Sequence, residues 1–123
     1  MSLPSLILAA ALAAVPSPAP APVPDAGAPL SFANAEKLRC AATFAIVARH
    51  QAGSDPRVAG FPPLAVRGEA YFIRAVAQVM DSTGFDEAAV TARLQTMASA
   101  LAAPGQLEAG MPSCLASLEA SGF

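Results

Sequence analysis

Tryptophan is missing from this 123-residue sequence, histidine and tyrosine occur once each, cysteine occurs twice, and only 13% of the side chains are charged. Each scarcity excludes something. A zinc site takes four Cys, His or carboxylate ligands, and a calcium loop takes oxygen ligands at fixed spacing. His50, two cysteines expected to be oxidised and no carboxylates at EF-hand spacing supply neither set, so no metal ligand is assigned. GxGxxG, GxxxxGK[ST], GxSxG and HExxH are all missing, which leaves nucleotide binding and hydrolase chemistry without a motif; no catalytic or cofactor-binding residue is assigned. Seven basic against nine acidic side chains, a net charge of −2, give no basic field for nucleic acid. No run alternates β-branched with polar residues, so no sheet is expected.

What is present is apolar and rich in alanine: hydrophobic residues make up 54% of the chain, with six Phe as most of the aromatic mass. Residues 1–14, MSLPSLILAAALAA, carry no charge and end in small residues, with Ala11-Leu12-Ala13 matching the A-x-A rule of signal peptidase. They read as a signal peptide, cut near Ala13 or Ala14, although the n-region lacks Lys and Arg and Pro4 interrupts the apolar run. That run falls short of the roughly 20 apolar residues a bilayer span requires, so no stable membrane span is expected after cleavage. No cysteine lies near the cleavage point, which excludes a lipoprotein. The expected location is periplasmic or secreted. Residues 15–30, VPSPAPAPVPDAGAPL, form a disordered Ala/Pro-rich linker, because proline at nearly every second position removes amide donors and enforces extended geometry. The helical domain is assigned to 31–123.

Leu38–His50, LRCAATFAIVARH, is the stretch around which that domain is organised. It is an almost unbroken apolar helix carrying Cys40, and Cys114 lies in a late helical pattern. Two cysteines in an exported chain pair, and their bond would restrict the unfolded chain by roughly 4 kcal/mol in the entropic view. They are too far apart for a CxxC redox pair.

The expected fold is all-α, a small bundle of three to four helices over about 33–51, 64–82, 87–102 and 112–120, stapled by one disulfide. Helix 1 has Ser31 or Asn34 as cap; Glu36, Arg39, Thr43 and His50 mark its wet side, and Leu38, Ala41, Phe44, Ala45 and Ala48 its buried stripe. Helix 2 starts around Pro63, carries the double row Tyr71, Phe72, Ala75, Val76, Val79 and Met80, turns Arg67, Arg74, Gln78 and Asp81 outward, and stops at Gly84. Helix 3 is capped by Asp86 and buries Val90, Leu94, Met97, Ala98 and Leu101 until Pro104-Gly105. A short fourth helix starts at Pro112 and presents Cys114, Leu115 and Leu118.

Few residues suggest chemistry. His50, near the end of helix 1, has no sequence motif that supplies an orienting carboxylate or a nucleophile, and Glu69 or Asp81 are its only suggested partners. Arg67, Glu69 and Arg74 form a charged cluster suited to an anion or to a solvated helix face. Phe61, Leu64, Val66, Phe85 and Phe123 fall in loops or at an end, where partial exposure would leave a groove or patch for a lipid, peptide or client protein.

The runs RCAATFAIVARHQ, RGEAYFIRAVAQVMDSTGFD and PSCLASLE, spread over about residues 36–120, resemble a group of small exported bacterial proteins without assigned function. The resemblance implies a periplasmic helical domain with one disulfide and brings no catalytic residues with it. In architecture alone the chain is similar to the periplasmic acid-stress chaperones, which are small, helical and held by one disulfide between early and late helices. The expected function is therefore non-enzymatic: binding of another envelope protein or of an apolar ligand, with a structural or regulatory subunit of an envelope complex as the alternative.

Overall fold

Ser31 opens the first helix. In the computed structural model, which describes residues 25–123, its backbone is extended (φ −60°, ψ 156°) and its hydroxyl accepts the Asn34 amide at 3.1 Å, launching α1, Phe32–Ala52. Gly53 closes α1 by donating its N–H to the Arg49 carbonyl. A 3-10 turn, Pro56–Val58, follows under an Asp55 cap; then come α2 (Arg67–Thr83), α3 (Glu87–Leu101) and α4 (Gln106–Ala120). The described residues contain four α-helices and no strand, so the fold is the expected all-α bundle stapled by a Cys40–Cys114 disulfide. No helix among them is long and apolar enough to cross a membrane.

The first helix is the centre of the bundle, and α2, α3 and α4 all lie against it. Its buried surface is accordingly wider than one stripe: Cys40, Ala41, Ala42, Thr43 and Phe44 are buried in succession. The wet side expected from spacing is corrected at Thr43, which is fully buried. Its hydroxyl donates to the Arg39 carbonyl at 2.8 Å, so the helix satisfies the polar group itself and burial costs little. Ala45, expected in the buried stripe, is exposed. Two clusters fill the interior. Phe44, Val47, Leu64, Tyr71, Met111 and Leu118 join α1 to α2 and α4, with the Phe44 and Tyr71 rings edge to face at 5.1 Å. Leu38, Val79, Phe85, Ala89 and Val90 join α1 to α2 and α3.

Two helices begin elsewhere than spacing indicates. The second starts at Arg67, three residues later than expected, because Gln51 holds the preceding segment: its Nε2 donates to the Pro62 carbonyl at 2.8 Å and its Oε1 accepts the Leu64 amide at 3.0 Å. This clamp buries Leu64 completely, and Phe85 is buried as well, which corrects their expected exposure. The fourth helix begins six residues earlier than expected, at Gln106, with Pro112 inside it rather than at its start. Proline there removes only the amide that would meet the Glu108 carbonyl. Burial of Leu107, Met111, Cys114 and Leu118, at i, i+4, i+7 and i+11, holds the helix on both sides of the lesion.

The assigned signal peptide and residues 15–24 of the linker lie outside the described residues. Residues 25–30, assigned to the linker, pack against the bundle: Ala26, Ala28 and Leu30 cover the α2–α3 cluster, and the Arg93 guanidinium donates to the Ala28 carbonyl. Packing against the bundle thus includes residues ahead of the expected domain edge at 31.

The disulfide joins α1 to α4 across 74 residues of sequence, with a Cα–Cα distance of 5.2 Å and both cysteines buried. Replacing both by serine should lower the free energy of unfolding by about 4 kcal/mol, read from denaturant titrations of the two proteins. Gly68 gives a second check. A Cβ there would lie 3.2 Å from the Phe44 Cβ and 3.3 Å from the Leu64 Cβ, whereas nothing lies within 4 Å of one at Gly60. Gly68→Ala should cost about 1–3 kcal/mol through overpacking, and Gly60→Ala should leave the melting temperature nearly unchanged.

Candidate functional site

His50 does have a carboxylate partner, five residues further on. Its Nδ1 lies 3.3 Å from Asp55 Oδ2, and the Asp55 amide donates to the His50 carbonyl at 3.0 Å, so the turn after α1 folds the two together. Asp55 is shared. It accepts the Arg57 amide at 2.9 Å as cap of the 3-10 turn and takes the Arg57 guanidinium at 2.7 Å. The bond to Arg57 holds its carboxyl down at about 2. Beside this trio a cleft of about 400 Å³ runs under the α3–α4 connection, lined by Ile46, Arg49, Arg57, Leu107 and Glu108. No serine, threonine or cysteine lines it, so the histidine faces no nucleophile there. The suggested partners Glu69 and Asp81 do not meet His50: both are exposed on α2, which Asp55 displaces as partner through a local turn.

The charged cluster on α2 is split by the structure. Arg67 donates to Glu119 at 2.6 Å and, through Nε, to the Phe123 carbonyl at 2.9 Å. Arg74 donates to the Ser121 carbonyl at 3.1 Å and stacks over the Phe123 ring at 4.2 Å. Both arginines, expected to face outward, thus hold the segment after α4 against α2. Glu69 takes no part and borders a different groove.

That groove is the apolar feature of the surface. It holds about 200 Å³ between α1 and α2, with Phe44, Ala45, Ala48, Leu64 and Phe72 among its walls and Gly68 at its floor. Glu69 lines it, and Val66 and Ile73 lie three residues before and four after Glu69, on the same helical row. Val66 is 81% and Ile73 62% exposed, and Phe32, at the start of α1, is 83% exposed. Spacing indicated exposure at Val66 and not at Ile73, which lies one residue outside the double row of α2. Its position next to Phe72 is the signal that was available. Among the described residues no group of three or more His, Cys, Asp or Glu is placed to hold a metal ion.

The Asp55 cap makes stability depend on acid. A carboxyl held near 2 in the folded chain, against an ordinary 3.8, stabilises the fold above about pH 4, and that contribution is lost as pH falls through 2. Asp55→Asn keeps an oxygen for the cap and removes the charge. Melting curves should place the variant below the parent at pH 7, with the gap closing between pH 4 and pH 2. Comparison with family models, with curated proteins and with solved structures finds no match to this chain.

Proposed function

We propose that this chain is an exported, non-enzymatic binding protein that holds an apolar segment of another protein, or an apolar ligand, along the α1–α2 groove. One observation carries the reading: two large aliphatic side chains, Val66 and Ile73, stand exposed on the same helical row as Glu69, which lines a groove whose walls are almost entirely carbon. Exposed apolar side chains clustered at a concave site are what a hydrophobic partner recognises, whereas scattered ones are ordinary. The alanines of α1 suit the role, because they let a partner approach the helix backbone closely. Export is supported by the buried disulfide, since such bonds persist in oxidising compartments. The carboxylate beside His50 is read as a turn anchor that orients the ring, and no reaction is assigned to it.

The test uses the groove edge. Val66→Glu with Ile73→Glu alters two exposed positions and leaves the buried row of α2 untouched. The double variant should bind palmitate about tenfold more weakly than the parent, and suppress aggregation of a heat-unfolded client less, at unchanged melting temperature. Equal performance of parent and variant in both assays would sink the proposal.

A further inference from the structure

A second groove, of about 560 Å³, lies where the start of α1, the middle of α2 and the end of α4 meet. It is more polar than the apolar one. Lys37 comes from α1, Tyr71, Arg74 and Gln78 from α2, and Ser117 from α4, with Ala33, Ala75 and Ala120 as small walls between them. Glu36 also borders it, but Arg39 holds that carboxylate by two bonds, at 2.9 and 2.7 Å, so its charge is already neutralised. Lys37 and Arg74 take part in no ion pair among the described residues. The groove therefore carries two uncompensated cations.

These groups are held in place. The Arg74 guanidinium is fixed by the Phe123 ring and the Ser121 carbonyl, neither of which cancels its charge. Burial pushes the Tyr71 phenol above its ordinary value, so it stays a neutral hydroxyl. The disulfide fixes the walls relative to each other, because Cys40 lies one turn after Lys37 and Cys114 one turn before Ser117. Two uncompensated cations, one of them fixed, attract a dianion. Hydroxyl and amide groups from two helices add bonds to a hydroxylated body, and alanine walls leave room for it.

We propose that this groove binds a small hydroxylated phosphate monoester of the sugar phosphate kind, its phosphate between Lys37 and Arg74 and its hydroxyls on Tyr71, Gln78 and Ser117. The site is separate from the apolar groove.

Calorimetric titration of the full chain at low ionic strength, with glucose 6-phosphate, inorganic phosphate, gluconate and glucose as probes, tests it. Glucose 6-phosphate should bind most tightly, inorganic phosphate and gluconate more weakly, and glucose not measurably. Lys37→Met should weaken glucose 6-phosphate about tenfold at unchanged melting temperature. Gln78→Ala should weaken glucose 6-phosphate and leave inorganic phosphate unaffected. No heat with glucose 6-phosphate would overturn the proposal, as would equal binding of glucose 6-phosphate and inorganic phosphate, or binding indifferent to Lys37→Met. Palmitate binding should survive Lys37→Met.

Discussion

Contact of α1 with all three other helices is the constraint on which the rest of the molecule depends. A helix with three neighbours must present small side chains wherever another backbone comes close. The run from Cys40 to Phe44 meets that condition with alanines, a threonine and half of a disulfide, and spends only one large ring. The same crowding explains Gly68, which sits where α2 approaches the Phe44 Cβ. Thr43, the one buried polar residue in the described core, bonds to its own helix and so needs no partner from a neighbour.

Among the helices, α4 has the least support of its own. Its start has no side-chain cap, and Pro112 interrupts its ladder. It stays in place because it is tied at several levels. Leu107, Met111 and Leu118 are buried against the bundle, and Cys114 is bonded to the central helix. Arg39 reaches from α1 to Ser113 at 3.1 Å, and Arg67 and Arg74 hold the residues that follow α4. The charged side chains are few, and a large share of them are used to join elements rather than to dress the surface.

The helices were legible where one face only is buried. Tyr71, Ala75 and Val79 of α2 lie in the core with Phe72, Val76 and Met80 at its margin, as their spacing indicates, and Asp86 and Gly84 punctuate the chain as residue type suggests. Periodicity fails for α1 because three neighbours bury every side of it over Cys40–Phe44 and leave it open just beyond, so that Thr43 is buried against its spacing and Ala45 exposed against its own. Pro112 misled for the opposite reason: proline usually opens a helix, and the row from Leu107 to Leu118 that runs through it was the stronger signal. The clamp from Gln51 to Pro62 and Leu64 left no local trace, since a side chain reaching across a loop has no period. The His50–Asp55 pairing was readable in part, from an aspartate placed before a proline to cap a turn.

The two grooves flank the same helix pair and differ because of a rotation of about 150° around α2. Ala65, Glu69 and Phe72 line one; Tyr71, Arg74 and Gln78 line the other; between them Gly68 and Ala75 are buried against α1. A helix that must lie flat on its neighbour is thus left with two free shoulders, and residue choice on each decides what it attracts. The apolar shoulder discriminates weakly, by shape and area, and suits partners that vary. In the binding proposed for it, the polar shoulder would discriminate more sharply, because a ligand that enters without satisfying the Lys37 and Arg74 charges desolvates them without compensation. Both α1 and α2 line each groove, and the close approach at Gly68 pins the two helices together between the shoulders.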